Sequence, residues 1–516
     1  MSNGAPPPVA PDGPVPKTAA TFDRAYAIRI MAIMSILVMI VMYIEGMLTP
    51  SLYSIATEFH VSVAQVSLIL SVYLVTGVAL TPIAGKLGDV YGKKRVLTAI
   101  LVFYALAVSV TGFSRSYEFM VASRAVQGVG LTIFPLAMSL VREEFPREMV
   151  PRAQGILSGL FGAGFAVSLP LGAFVSNTYG WRFTYHSAIP VVAGLTVAAF
   201  LYLRESPYRR PDAFVDYAGA GFLAASLGLI VLGLSQGPAW GWTSPSVLGL
   251  LIGGVVLLVP TAVVEFVQHR RGKDVILDAK MLRRRNVLVT NLVVVVSGFG
   301  MFLAFQALTF RLEYPVPVGF GLDIFQTGLS FVAFAVPMLV FAPLASVAVT
   351  RVGTRPMTIV GCLIAAVGFW SATLGSNVTQ MLESMFVIGA GIAVMNSSVI
   401  NLLVLTVEPQ EMGLATSLNA VFRNVGSSVG APLAGSLMST FTVVAFGQRF
   451  PSPTAFHDAF LIAAVASVLA GGLVVFAHEI LGNRAVRAGQ RLAGPTSPPA
   501  SSRAVSEPTA SATPSS

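Results

Sequence analysis

The run GKLGDVYGKKR, Gly85 to Arg95, decides the fold. About twenty apolar residues precede it and another apolar segment begins after Arg95, each long enough to cross a bilayer. The run is therefore a charged turn between two membrane spans. Gly85 and Gly88 remove side chains where helix ends approach, as small residues do at contacts between membrane helices. Asp89 places a carboxylate beside Lys93, Lys94 and Arg95. Cations alone would orient a loop in a membrane. The added glycines and carboxylate point to a contact surface.

Composition agrees. Of 516 residues, 55% are hydrophobic and 11% charged, with mean hydropathy +0.77, which a soluble domain could not carry on its surface. The net charge of +9 sits in short loops between apolar spans, where it orients the chain and does not imply nucleic acid. Cys362 is the one cysteine, so an intramolecular disulfide and a cysteine metal cluster are excluded. Phosphate-binding and dinucleotide glycine patterns are missing, as is zinc-ligand spacing such as HExxH. The chain is read as neither an enzyme nor a cofactor or metal binder, and without a nucleotide-binding domain its work must draw on a gradient.

Apolar windows fall near 28–50, 63–84, 96–113, 118–140, 153–176, 183–203, 217–236, 246–267, 287–309, 326–350, 357–375, 381–406, 413–438 and 456–478. These predict fourteen spans. With both termini in the cytoplasm of a multi-pass cell-membrane protein, the outward loops receive only Arg115, Arg182, Arg311 and Arg449. The basic loop with Arg270, Arg271, Lys273, Lys280, Arg283, Arg284 and Arg285 stays inside with twelve or fourteen spans, not thirteen. Residues 1–24 and 481–516, rich in Pro, Ala, Gly and Ser, are expected to be disordered cytoplasmic tails.

The chain also repeats. A spacing of 261 residues (353 − 92) aligns Pro82, Ala84, Gly92 and Lys94 with Pro343, Ala345, Gly353 and Arg355, and Gly128 and Gly130 with Gly389 and Gly391. One residue more aligns Gly164, Pro170 and Leu171 with Gly426, Pro432 and Leu433. Residues 25–205 and 287–480 are then related six-helix bundles, and 206–286 an inserted helix pair with its basic loop. Trp240 and Trp242 mark the outer interface of that pair. Thr350 stands where Asp89 would repeat, so the loop carboxylate belongs to the first half.

Gly85, Leu87, Gly88, Asp89, Gly92, Lys93 and Lys94 resemble the loop between the second and third spans of the major facilitator superfamily. The inserted pair resembles its fourteen-span drug:proton antiporter branch. The resemblance covers roughly residues 25–480. It implies an all-α membrane fold of two six-helix bundles around a midplane cavity, working by alternating access. It also implies that the loop, through Asp89, helps hold the outward-facing state.

In the fourth span, RAVQGVG from Arg124 to Gly130 resembles the motif whose arginine is associated with proton coupling. A buried guanidinium needs a polar interior or a carboxylate, whether it couples protons or braces helices. In the fifth span, Gly155, Gly164 and Gly172 match the family's antiporter motif. Ser168, Leu169 and Ala173 replace Gly, Pro and Gly there, and Pro170 is displaced by one. This favours export.

Glu45 is a carboxylate in the first span. Such a group is costly unless a proton or cation neutralises it, which is what a coupling site requires. The competing reading has it reaching the outer interface. Gln127, Asn396 and Arg423 are polar candidates for the cavity, with Asn291, Gln306, Asn401, Asn419 and Asn424 as further uncharged polarity. His186 is expected to make a structural hydrogen bond, and Glu313 and Glu383 to lie at the interface.

Together these readings predict proton-coupled export of small amphipathic organic compounds, with substrate, protons and the lipid bilayer as partners and the oligomeric state open. The alternatives are a nutrient or metabolite symporter or facilitator of the same fold, and a non-transporting sensor or scaffold. The second is disfavoured because no folded extramembrane domain is foreseen.

Overall fold

The computed structural model describes residues 23–145, 149–205, 216–270, 279–407, 412–445 and 448–478. The tails, except Asp23 and Arg24, and the loop residues Arg271 and Lys273 lie outside the described residues. Every apolar window falls on a helix. These are α1 (Arg24–Gly46), α2 (Val63–Tyr91), α3 (Lys93–Gly112), α4 in two pieces (Tyr117–Gln127 and Ile133–Glu144), α5 (Val150–Tyr179), α6 (Trp181–Tyr202) and α7 (Tyr217–Trp240). Then come α8 (Pro245–Arg270), α9 (Arg285–Glu313), α10 in two pieces (Ile324–Ser330 and Val332–Val352), α11 (Thr354–Leu374), α12 (Val378–Thr406), α13 (Met412–Thr440) and α14 (Pro453–Val474). A short helix, Leu52–Glu58, and a hairpin, Thr442–Ala445 with Gln448–Pro451, sit at the end opposite the Gly85–Arg95 loop.

Twelve helices among the described residues are long and apolar enough to cross a membrane. That supports a many-span helical fold at twelve spans, short of the fourteen expected. The other two, α5 and α13, have 30 and 29 residues. The middle of α13 carries Asn419, Arg423, Asn424, Ser427 and Ser428, which dilutes its apolar character. It packs along α9 and α2.

Local chemistry sets the helix ends. Ser62 accepts from the Gln65 N–H while the Gln65 side chain accepts from the Ser62 N–H, a reciprocal cap that starts α2. Asp23, Asp216 and Asn377 cap α1, α7 and α12 in the same sense. A single residue, Gly92, separates α2 from α3 at φ 104°, and Gly353 separates α10 from α11 at φ 107°. Only glycine takes that backbone cheaply.

Contact partners repeat along with the residues. A Cβ on Gly128 would strike the carbonyl of Tyr73, 55 residues earlier (128 − 73), and one on Gly389 would strike that of Phe334, also 55 earlier (389 − 334). Gly130 lies against Tyr104 and Gly391 against Ala365, each 26 residues back (130 − 104, 391 − 365). The two halves therefore pack by one plan, with glycines admitting backbone where α4 crosses α2 and α12 crosses α10.

The halves meet along two seams. In one, α2 runs beside α13, joined by the Ala64 N–H donating to Ser439 Oγ at 3.1 Å. There α7 packs over both helices, so that Leu223, Leu227 and Val231 form one apolar cluster with Leu68, Val75, Val78 and Val421. The Ser235 hydroxyl adds a bond to the Ala64 carbonyl at 2.9 Å. In the other seam, α5 meets α10 where Gly328 lies against Leu169, Pro170 and Ala173. An apolar groove of about 440 Å³ continues that seam, lined by Val167, Leu171, Phe174, Ala335, Val336 and Leu339 among others. Rings bridge the halves at the end away from the basic loop, with Tyr53 4.8 Å from Tyr314 and 6.4 Å from Phe310.

Candidate functional site

At the basic end, the cations of the loop are tied within their own half. Lys93 is buried, 3.6 Å from Asp89 and in closer contact with Glu143 of α4. The Lys94 N–H donates to Glu205 at 3.1 Å, its ammonium lies 5.7 Å from the Phe200 ring, and the exposed Arg95 reaches Glu205 at 3.6 Å. A Cβ on Gly88 would meet Leu136 at 3.1 Å, whereas Gly85 faces open space in this conformation. Glu143 and Glu205 escaped the sequence reading. The signal was a deficit, three cations beside one carboxylate.

Arg124 is the hub of the first bundle. It is wholly buried, donating from Nε to the Ile69 carbonyl at 3.1 Å and from one terminal nitrogen to Gln127 Oε1 at 3.0 Å. Its guanidinium lies 4.6 Å from the Tyr73 ring centre, a cation–π contact. Gln127 in turn donates to Thr111 and to the Ala107 carbonyl. The buried hydroxyls of Tyr73 and Tyr104 have no hydrogen-bond partner, while that of Tyr185 faces Arg124 and Gln127. Those tyrosines were not foreseen, because nothing in an apolar run separates them from any other span residue.

Glu45, between the buried Ile44 and Gly46, remains partly exposed. Its carboxylate lies in the interior of the protein. Arg423 and Arg124 stand within electrostatic reach of its carboxylate, as do Tyr73 and Tyr104. Arg423 comes from the second half, and its guanidinium lies 5.3 Å from the ring of Phe161 on α5. Three candidates far apart in sequence are thus drawn to one region.

At the spacing of 261, Phe334, Ala365 and Met385 occupy the places of Tyr73, Tyr104 and Arg124. The second half answers the charged apparatus with rings. Phe305 is stacked at 6.0 Å on Phe165 of α5, and is edge-on to Phe334 at 4.7 Å and Phe331 at 5.5 Å.

On α5, Gly164 and Gly172 lie against Met39 and Met47 at either end of a tight contact with α1, and Ser168 meets Gly46 between them. Pro170 faces the other way, toward Gly328. Gly155 belongs to α5, but its surroundings lie outside the described residues. Asn396 is partly exposed on α12, while Asn419 donates to Asn291 at 3.2 Å, tying α13 to α9.

Glu313 is 6% exposed, with the Tyr53 backbone of the first half beside its carboxyl at the end of α9. One expectation is corrected. His186 has a buried, unpartnered Nε2 and is held by Phe113 at 4.8 Å in place of a hydrogen bond. Glu383 is exposed as expected.

A family model described as Major Facilitator Superfamily matches residues 34–216 and 282–510. The chain is 26% identical over 391 residues to the tetracenomycin C resistance and export protein of Streptomyces glaucescens, covering 75% of this chain and 71% of that protein. It is 24% identical over 374 residues to the multidrug transporter protein MdtP of Bacillus subtilis, covering 71% and 67%. Among solved structures, the xylose transporter XylE from E. coli, in a partially occluded inward open conformation, superposes with a TM-score of 0.60 at 16% identity, over 88% of this chain and 98% of that one. With two bundles built on one repeated plan and a glycine-rich charged loop after the second span, the chain belongs to the major facilitator superfamily.

Proposed function

We propose that this chain is a proton-coupled antiporter of fourteen spans, exporting small amphipathic organic compounds across the plasma membrane, with both termini cytoplasmic. The observation that carries the reading is Glu45, partly exposed deep in the first bundle and within electrostatic reach of an arginine from each half. A carboxylate so placed exchanges its charge for a proton at little structural cost, and the exchange alters its attraction to Arg423 across the moving boundary. The Phe302, Phe305, Phe331 and Phe334 rings supply an apolar wall for the organic part of a substrate. The export proteins among the relatives support the direction.

In this conformation Tyr53 meets Phe310 and Tyr314 at the outer end, while Asp89 pairs with Lys93 of its own loop. That fits a loop whose carboxylate is released when the cytoplasmic side opens. The test is efflux of a fluorescent lipophilic cation in inside-out vesicles under an imposed proton gradient. Gradient-driven transport lost in Glu45→Gln supports the reading. Equal transport by both proteins, or none by either with correct insertion, overturns it.

A further inference from the structure

Glu313 ends α9 at the outer end, where no side chain pairs with its buried carboxyl and the backbone N–H of Tyr53 is the one hydrogen-bond donor beside it among the described residues. At that end Tyr53 of the first half packs on Phe310 and Tyr314 of the second, and Phe450 of the hairpin lies 5.5 Å from Tyr314. It is buried where the halves touch. The titratable groups in electrostatic reach are Tyr53, Tyr314 and Asp323, none of them a cation. Arg311, two residues earlier, is turned elsewhere: it donates to the Val318 carbonyl and lies 5.0 Å from the Phe320 ring and 5.4 Å from Phe456.

An ionised carboxylate in such a place would carry an uncompensated charge. Two turns inward on the same stripe of α9, Gln306 is 1% exposed with both side-chain polar atoms unpartnered. This face of α9 therefore holds polar groups that the closed seam leaves unsatisfied.

We infer that Glu313 is a second proton-binding site, a latch on the outer gate separate from the Glu45 region. With the gate closed, the carboxyl holds a proton between the halves. When the gate opens, Glu313 meets the external solution, releases that proton to water and becomes a solvated carboxylate. Closing takes one proton back from outside. The closed state holds one proton more, so acid favours closure and rising pH favours opening. This rests on the alternating-access reading above and adds an external control that reading does not contain.

Spin labels at Ser62→Cys and Val444→Cys, both exposed sites at the outer end, in a Cys362→Ser background, report the gate as a distance distribution in proteoliposomes. The expected result is a longer-distance population growing with pH, by at most about tenfold per pH unit in the open-to-closed ratio for one proton. Glu313→Gln, nearly isosteric and unable to ionise, should stay in the short-distance population throughout, while Glu313→Asp keeps a pH-dependent shift. A pH-independent native distribution, or a Gln variant that titrates like the native chain, overturns the latch. Glu45→Gln should keep the distance shift while losing coupled efflux, so failure of the latch and failure of the coupling reading give different results.

Discussion

Arg423 of α13 reaches the field of Glu45 of α1 across the boundary between the two halves. Its guanidinium rests against Phe161 of the first half, so the interaction depends on how the halves are placed. Arg423→Leu should therefore remove the cross-boundary attraction, and gradient-driven efflux should fall at least about tenfold, with Arg423→Lys retaining part of it. Vesicle efflux of the two variants at matched expression decides this.

Arg124 should not tolerate lysine. Its planar fork serves the Ile69 carbonyl, Gln127 and the Tyr73 ring at once, and an ammonium cannot reproduce that geometry. Arg124→Lys should lower thermal stability in detergent by about 2–4 kcal/mol, the range for breaking a buried polar network. A melting curve that matches the native protein would contradict the hub.

Two glycines of one loop should behave differently. Gly92→Ala forces a positive φ on a residue with Cβ and drives that Cβ into Glu205, so it should cost about 1–2 kcal/mol or more. Gly85→Ala meets nothing in this conformation and should leave stability unchanged. Comparing thermal unfolding of the pair tests the contrast. If efflux also falls in Gly85→Ala, the small residue is needed by the other conformation.

The loop's ion pairs should be unequal. Glu143→Gln leaves the buried Lys93 with only the looser Asp89 pair and should destabilise by about 3 kcal/mol. Glu205→Gln loosens the well-exposed Arg95 and a single Lys94 N–H bond, a loss of about 0.5–1 kcal/mol. Denaturation of the two variants in the same detergent gives the order.

The fold was legible where one residue type is nearly forced. Gly92 and Gly353 at positive φ, and the paired Gly128 and Gly389 under a neighbouring carbonyl, had no substitute, so the repeat survived in the sequence. Arg124 and Glu45 were legible because charge inside an apolar run is costly. Tyr73, Tyr104 and Tyr185 were not, since a tyrosine facing Arg124 and one facing lipid follow the same pattern. The burial of Glu313 was hidden for a related reason: a helix end looks exposed until Tyr53, some 260 residues earlier (313 − 53), is seen beside it.

The two flanks of the molecule also differ in how they meet the bilayer. On one, α7 seals the joint between α2 and α13, and α8 turns Ile252, Val255, Val256 and Val259 outward beyond it. On the other, the groove between α5 and α10 leaves the joint bare. Under the alternating-access reading, lipid tails would press directly on the boundary between the halves along that flank, and elsewhere against a buttress. A change in bilayer thickness or lateral pressure would then bear on the balance of conformations from one side, making the membrane itself an unequal party to the proposed cycle.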